Sequence, residues 1–180
     1  MNPRAGGRTS KALERASTRF IVQSVVRTLG AVAVLVTTYY LLPLEHASAG
    51  GIAAVLAGGL VLLTVLLTYQ VRSVMFSPHP AVSAVESIAI SVPLILLLFA
   101  AAYTALSTLS AGSFGEPMTH SKSLYFTVTV FSTVGFGDIT PKTDGARLVV
   151  TGQMVVDIVI IGFVIKAMSH AVKMRLPRGR

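Results

Sequence analysis

The chain has 180 residues, 53% hydrophobic and 12% charged, with a mean hydropathy of +0.73 and a formal net charge of +8. Soluble domains carry about 25% charged residues, so a water-soluble globule is excluded and lipid is the expected solvent. Disulfides and thiolate metal sites are excluded by the lack of cysteine. The basic surplus sits at the two ends, beside apolar stretches, and reads as juxtamembrane tails rather than a nucleic-acid surface.

Residues 1–19 are polar, with Arg4, Arg8, Lys11, Arg15 and Arg19. The apolar stretch behind them is too long for the core of a signal peptide, and no clear small-residue cleavage pattern follows it. A cytoplasmic basic tail is expected. Four apolar segments follow, at 20–42, 51–69, 86–109 and 146–171, each near the ~20 residues that cross the hydrocarbon core. All four are expected to be helices, because an open strand leaves its backbone unsatisfied in lipid. Pro43 closes the first, Gly58 and Gly59 offer close packing in the second, and Pro93 lies inside the third. A second basic tail runs over 173–180. With Arg72 between segments two and three, the charge bias puts both termini in the cytoplasm.

A long link at 110–145 separates segments three and four. Its piece at 120–131 is semi-apolar and too short to span, so a re-entrant helix with Ser121 as N-cap is expected. The returning loop, Thr133-Val134-Gly135-Phe136-Gly137-Asp138, is the most informative stretch of the chain. Gly135 and Gly137 accept positive φ at little cost. Alternated with Val134 and Phe136, they let successive carbonyls point to one side. Backbone at membrane depth is tolerated only where it is buried in protein or lines water.

From Leu124-Tyr125-Phe126 through Thr133–Gly137, Asp138 and Pro141, this region resembles the pore helix and selectivity filter of the potassium channel superfamily. The resemblance covers roughly 86–172 and implies an outer helix, a pore loop and an inner helix, with Arg147 at the family's usual distance behind the proline. It implies a homotetramer in which carbonyl rings from Thr133, Val134, Gly135, Phe136 and Gly137 replace the hydration shell of K+. Asp138, Tyr125, Phe126 and Thr129 are the implied filter support and outer mouth. Phe136 stands where a filter Tyr is commoner, and Phe126 at a frequent Trp position. Both lack a donor, so a filter braced by packing is expected.

Asp157, in the middle of segment four, falls where the family often has a hinge glycine. Two readings stand: a ring of carboxylates lining the ion cavity, or a buried Asp that is neutral or bonded to Gln153 one turn back. Gly152 and Gly162 are candidate bending points, and Ile161 completes the gate candidates. His120 is a possible pH sensor, with a solvated loop histidine as the commoner role. Glu86 reads as a helix-start acid, Glu116 as solvated, and Lys166 and His170 as snorkelling residues. Segments one and two carry no regular arginine array, so strong voltage dependence is not expected.

The expected fold is an all-α membrane protein of four transmembrane helices plus a re-entrant pore helix and filter loop, assembled as a tetramer. It divides into a tail at 1–19, a two-helix hairpin at 20–80, a pore domain at 81–172 and a tail at 173–180. The expected function is passive, K+-selective conduction across the plasma membrane. No cofactor and no catalysis are expected, and the partners are further copies of the chain, K+ and lipid. A less selective cation channel and a potassium transporter subunit are the alternatives.

Overall fold

The computed structural model describes residues 4–46, 48–75 and 80–173. They form five helices and, among the described residues, no strand: α1 Arg4–Leu41, α2 Ala49–Met75, α3 Pro80–Leu109, α4 His120–Phe131 and α5 Asp144–Lys173. Four stretches are long and apolar enough to cross a membrane: Val22–Leu41, Ala49–Gln70, Val85–Leu109 and Asp144–Lys166. The all-α membrane architecture expected from the sequence is therefore present, with α4 as the short fifth helix.

The α1 and α3 helices begin upstream of their apolar stretches. The α1 helix starts at Arg4, inside the region read as a basic tail. Backbone bonding within a helix is indifferent to side-chain polarity, so hydropathy marks the span and not the helix end. At about 1.5 Å per residue, its 38 residues reach about 57 Å, well beyond a hydrocarbon core of about 30 Å. The α3 helix starts at Pro80, a residue suited to a first helical turn because its missing N–H would have no partner there. Glu86 thus lies nearly two turns inside α3 and is not a helix-start acid. Its carboxylate is instead held by α1: Arg27 Nε donates at 2.6 Å, Arg27 Nη2 makes a second contact, and Ser24 Oγ donates at 2.7 Å. The side chain of His170 and residues 174–180 of the second basic tail lie outside the described residues.

The α3 helix is the hub: α1, α2, α4 and α5 all pack on it. One buried cluster joins the hairpin to α3 through Tyr39, Leu44, Leu97, Ala100 and Ala101. A second joins α3, the α3–α4 loop, α4 and α5 through Tyr103, Phe114, Met118, Phe126, Ile139, Ala146 and Val150. The two clusters lie on the hairpin side and the pore side of one helix. Polar contacts add to the hairpin's grip. Ser91 Oγ donates to Gln70 Oε1 at 2.5 Å, and Thr108 Oγ1 donates to the Leu44 carbonyl at 3.2 Å.

Of the two glycines in α2, only one makes a close approach. A Cβ on Gly59 would lie 2.8 Å from Leu98 Cδ1, whereas a Cβ on Gly58 would meet nothing within 4 Å. Gly59 sets the α2–α3 spacing and Gly58 does not. Accordingly, Gly59→Val is expected to destabilise the protein by about 1–3 kcal/mol through overpacking. Gly58→Ala is expected to be neutral or mildly stabilising. Thermal unfolding of the two variants in detergent checks the contrast.

Candidate functional site: the pore loop

The pore helix α4 spans the expected 120–131. Its N-cap is Thr119, not Ser121. Thr119 has extended backbone (φ −70°, ψ 165°), and its side chain accepts from the Lys122 N–H. Ser121 is already helical, and its hydroxyl lies 3.3 Å from that of Tyr40. The cap thus lies two residues before the expected serine. At 12 residues α4 is about 18 Å long and does not span a bilayer.

At its other end α4 unwinds over a few residues. The Ser132 N–H bonds to Val128 O at 2.9 Å and the Thr133 N–H to Val130 O at 3.0 Å. The N–H groups of Val134 and Gly135 both donate to the Thr129 carbonyl, at 3.1 and 3.2 Å. One buried carbonyl thus fastens the start of the loop to the last turn of the helix. The backbone then alternates: Thr133 has φ 59°, Gly135 φ 51° and Gly137 φ 79°, while Val134 and Phe136 stay in the ordinary half of the map. Reversing the sign of φ at every second residue turns successive carbonyls toward one side.

The two glycines were legible as positive-φ positions. Thr133 was not, because a β-branched residue is the type least suited to left-handed backbone. Such a conformation costs about 1–3 kcal/mol and persists only where neighbouring structure fixes it. The bonds that bracket Thr133 on either side provide that fixation.

Around the loop, the phenolic oxygen of Tyr125 donates to Asp138 Oδ2 at 2.8 Å, and Asp138 Oδ1 accepts from the Ile139 N–H at 3.0 Å. The Tyr125 and Phe136 rings are parallel, with centroids 6.3 Å apart. Phe126 is buried between Tyr103 and Phe114, edge to face, at 5.2 and 5.6 Å. Phe126 is thus packed in the core, whereas Phe136 is 69% exposed and stacks on Tyr125. Tyr125 adds a hydrogen bond to Asp138 one residue before Phe126.

Behind the pore helix lies a buried polar set that ties three helices together. Tyr103 Oη of α3 donates to Gln153 Oε1 of α5 at 2.6 Å. Gln153 Nε2 donates to the Thr127 carbonyl of α4 and to Asp157 Oδ2, both at 3.0 Å. Gln153 is fully buried and Asp157 is 4% exposed. Asp157 Oδ1 has no partner among the described residues. Of the two readings of Asp157, the buried arrangement on Gln153 is the one observed in the single chain.

The α5 helix runs unbroken through Gly152, Asp157, Ile161 and Gly162, and both glycines are exposed. The loop and these gate candidates lie on different parts of the structure, since Asp157 and Gln153 face the back of α4 while Val134 and Phe136 are exposed at the loop. Gln153 is the functional candidate whose reach the sequence understated. A glutamine in a lipid-spanning segment signals a partner, but not that it serves three helices at once. Among the described residues no group of His, Asp and Glu is placed to hold a metal ion.

Comparison with known proteins agrees with this geometry. Residues 91–174, a little under half of the chain, match the family model described as "Ion channel". The matched stretch begins within α3 and takes in α4 and α5. Over 32 residues the chain is 59% identical to potassium channel protein kcv of Paramecium bursaria Chlorella virus 1, covering 18% of this chain and 34% of that protein. Over 47 residues it is 43% identical to potassium channel subfamily T member 1 of Gallus gallus, covering 26% of this chain and 4% of that protein. The stretch at 91–174 is thus similar to ion channels, and parts of the chain to two potassium channel proteins. The aligned part spans about a third or less of the length of these relatives, and no solved structure matches.

The polar set makes a measurable claim. Hydrogen bonds between membrane helices are worth about 0.6 kcal/mol on average, but stranding a buried group costs about 1–3 kcal/mol. Gln153→Leu strands both Tyr103 Oη and Asp157 Oδ2, so a loss at the upper end of that range is expected. Tyr125→Phe, which removes a solvent-exposed bond, is expected to cost under about 1 kcal/mol. Calorimetric or fluorescence unfolding in detergent ranks the two.

Proposed function

We infer that the chain is one subunit of a homotetrameric, K+-selective channel that conducts passively across the plasma membrane. The single observation that carries this reading is the sign alternation of φ at Thr133, Gly135 and Gly137 in an exposed loop. Carbonyls turned to one side in each of four chains form stacked rings that replace the hydration shell of a permeant K+. Thr133, Val134, Gly135, Phe136 and Gly137 supply those oxygens. Tyr125, Phe126, Thr129 and Asp138 hold them in place. The negative end of the α4 dipole points to where the helix meets the filter and favours a cation there.

A single chain cannot close such a ring, and its surface supports assembly. On α5, Leu148, Val155, Ile158, Val159 and Phe163 are more than half exposed. Beside the loop, Ser121, Leu124, Tyr125, Val128 and Phe136 line an open cleft of about 490 Å³. The filter mouth faces outward and both termini lie in the cytoplasm, in keeping with the basic ends. In this reading 81–172 is the pore domain and 20–80 a peripheral hairpin. K+ is cargo, and no cofactor is involved.

Purified protein reconstituted in liposomes is expected to pass K+ down its gradient and to discriminate against Na+. Gly135→Ala puts a Cβ on left-handed backbone at a cost of about 1–2 kcal/mol and is expected to abolish that discrimination. Asp157→Asn is expected to leave conductance and block by internal organic cations unchanged, because the side chain stays on Gln153. Equal K+ and Na+ reversal potentials in the unmodified protein identify a non-selective cation channel instead. Altered block in Asp157→Asn restores the cavity-ring reading.

A further inference from the structure

His120, the first residue of α4, is no solvated loop histidine. Its side chain is 12% exposed, and the α1–α2 hairpin grips it from three directions. The backbone N–H donates to Glu45 Oε1 at 3.0 Å, and Nδ1 lies 2.7 Å from the same oxygen. The backbone carbonyl accepts from Tyr39 Oη at 2.8 Å. The Tyr39 and Tyr40 rings lie against the imidazole, with centroids at 5.0 and 6.0 Å. Nε2 is buried and has no partner among the described residues. A cleft of about 340 Å³, lined by Glu45, His46, Thr108 and Thr119 among others, opens beside the pair and gives water a route to it.

We propose that Glu45 and His120 form a proton-binding site on the filter-mouth face, through which pH on that side sets how firmly the hairpin anchors the pore helix. The coupling to conduction rests on the channel reading; the proton site does not. Geometry makes the link short. Glu45 belongs to the α1–α2 connection, His120 starts α4, and the last turn of α4 carries the Thr129 carbonyl that fastens Val134 and Gly135.

Either partner can take up a proton as pH falls. Histidine is the side chain whose charge changes between about pH 5 and 8. A proton on His120 converts the Nδ1 contact into a charge-assisted bond, about twice as strong as a neutral one. Glu45 itself is held below the usual carboxylate range, first by the His120 backbone N–H and then by its side chain. Its anchoring contribution is complete above the ordinary carboxylate range and is lost as pH falls through the depressed value. The clamp therefore loosens as Glu45 takes up its proton.

The other ionisable groups around the imidazole are Tyr39 and Tyr40 of α1, His46 beside Glu45, and Lys122 of α4, itself paired with Glu116 at 2.5 Å. The outer end of α3 presents only the hydroxyls of Ser107 and Thr108.

The test is K+ flux in proteoliposomes with pH stepped between about 8 and 5 on the filter-mouth side. A several-fold change in flux is expected in the unmodified protein. His120→Gln, whose amide still offers Glu45 a donor but does not titrate, is expected to remove it. A response that His120→Gln retains, or K+ flux indifferent to pH, overturns the coupling. Absence of K+ flux altogether defeats the channel reading instead. In that event NMR titration of the imidazoles, with His120 assigned by its loss in His120→Gln, still tests the site. Glu45→Gln, which removes the carboxylate facing Nδ1, is expected to change that imidazole titration, and an unchanged titration overturns the site.

Discussion

A backbone that turns back within a membrane has no water to satisfy its N–H and C=O groups, and every other feature of the pore unit answers to that constraint. The Thr129 carbonyl resolves it at the point of reversal by accepting from both Val134 and Gly135. That arrangement leaves the carbonyls beyond it uncommitted to the protein. It also obliges Thr133 to adopt left-handed backbone despite its branched side chain. The loop is thus held from its base, through the helix, and not along its length.

The base is itself fixed by a small number of side chains on three helices. Phe126 is clamped between Tyr103 and Phe114, and the same Tyr103 bonds to Gln153, which reaches the Thr127 carbonyl. Tyr103 thus contributes its ring to the apolar cluster and its hydroxyl to the polar set. An apolar cluster alone tolerates sliding; a satisfied polar set within it selects one register. The pore helix is held in depth and rotation by this pairing of the two kinds of contact.

Much of this was legible in the sequence because lipid imposes strong rules. Helix number followed from apolar length, and α4 from an apolar stretch too short to cross. Gly135 and Gly137 announced their own backbone. What escaped detection depended on long-range partners. Thr133 is strained by bonds that only the folded loop supplies. Ser121 and Thr119 differ by two positions, and either hydroxyl caps a helix equally well on paper. Glu86 and His120 looked solvated or helix-terminal because Arg27 and Glu45 stand about 60 and 75 residues away in the chain. Asp157 admitted two readings from spacing alone, and its burial on Gln153 became visible only with the fold.

The ion pair between Arg27 and Glu86 bears on what counts as a unit of folding. The family match begins at residue 91, yet α3 begins at Pro80 and carries Glu86 on the side that α1 covers. A pore fragment cut at the family boundary would lose that turn of α3. One cut at Pro80 would keep it and present an uncompensated carboxylate toward lipid. It would also uncover Leu98, whose Cδ1 packs beside Gly59 of the hairpin. Homology and cooperativity therefore draw different borders in this chain: the first follows the filter, and the second takes in the hairpin.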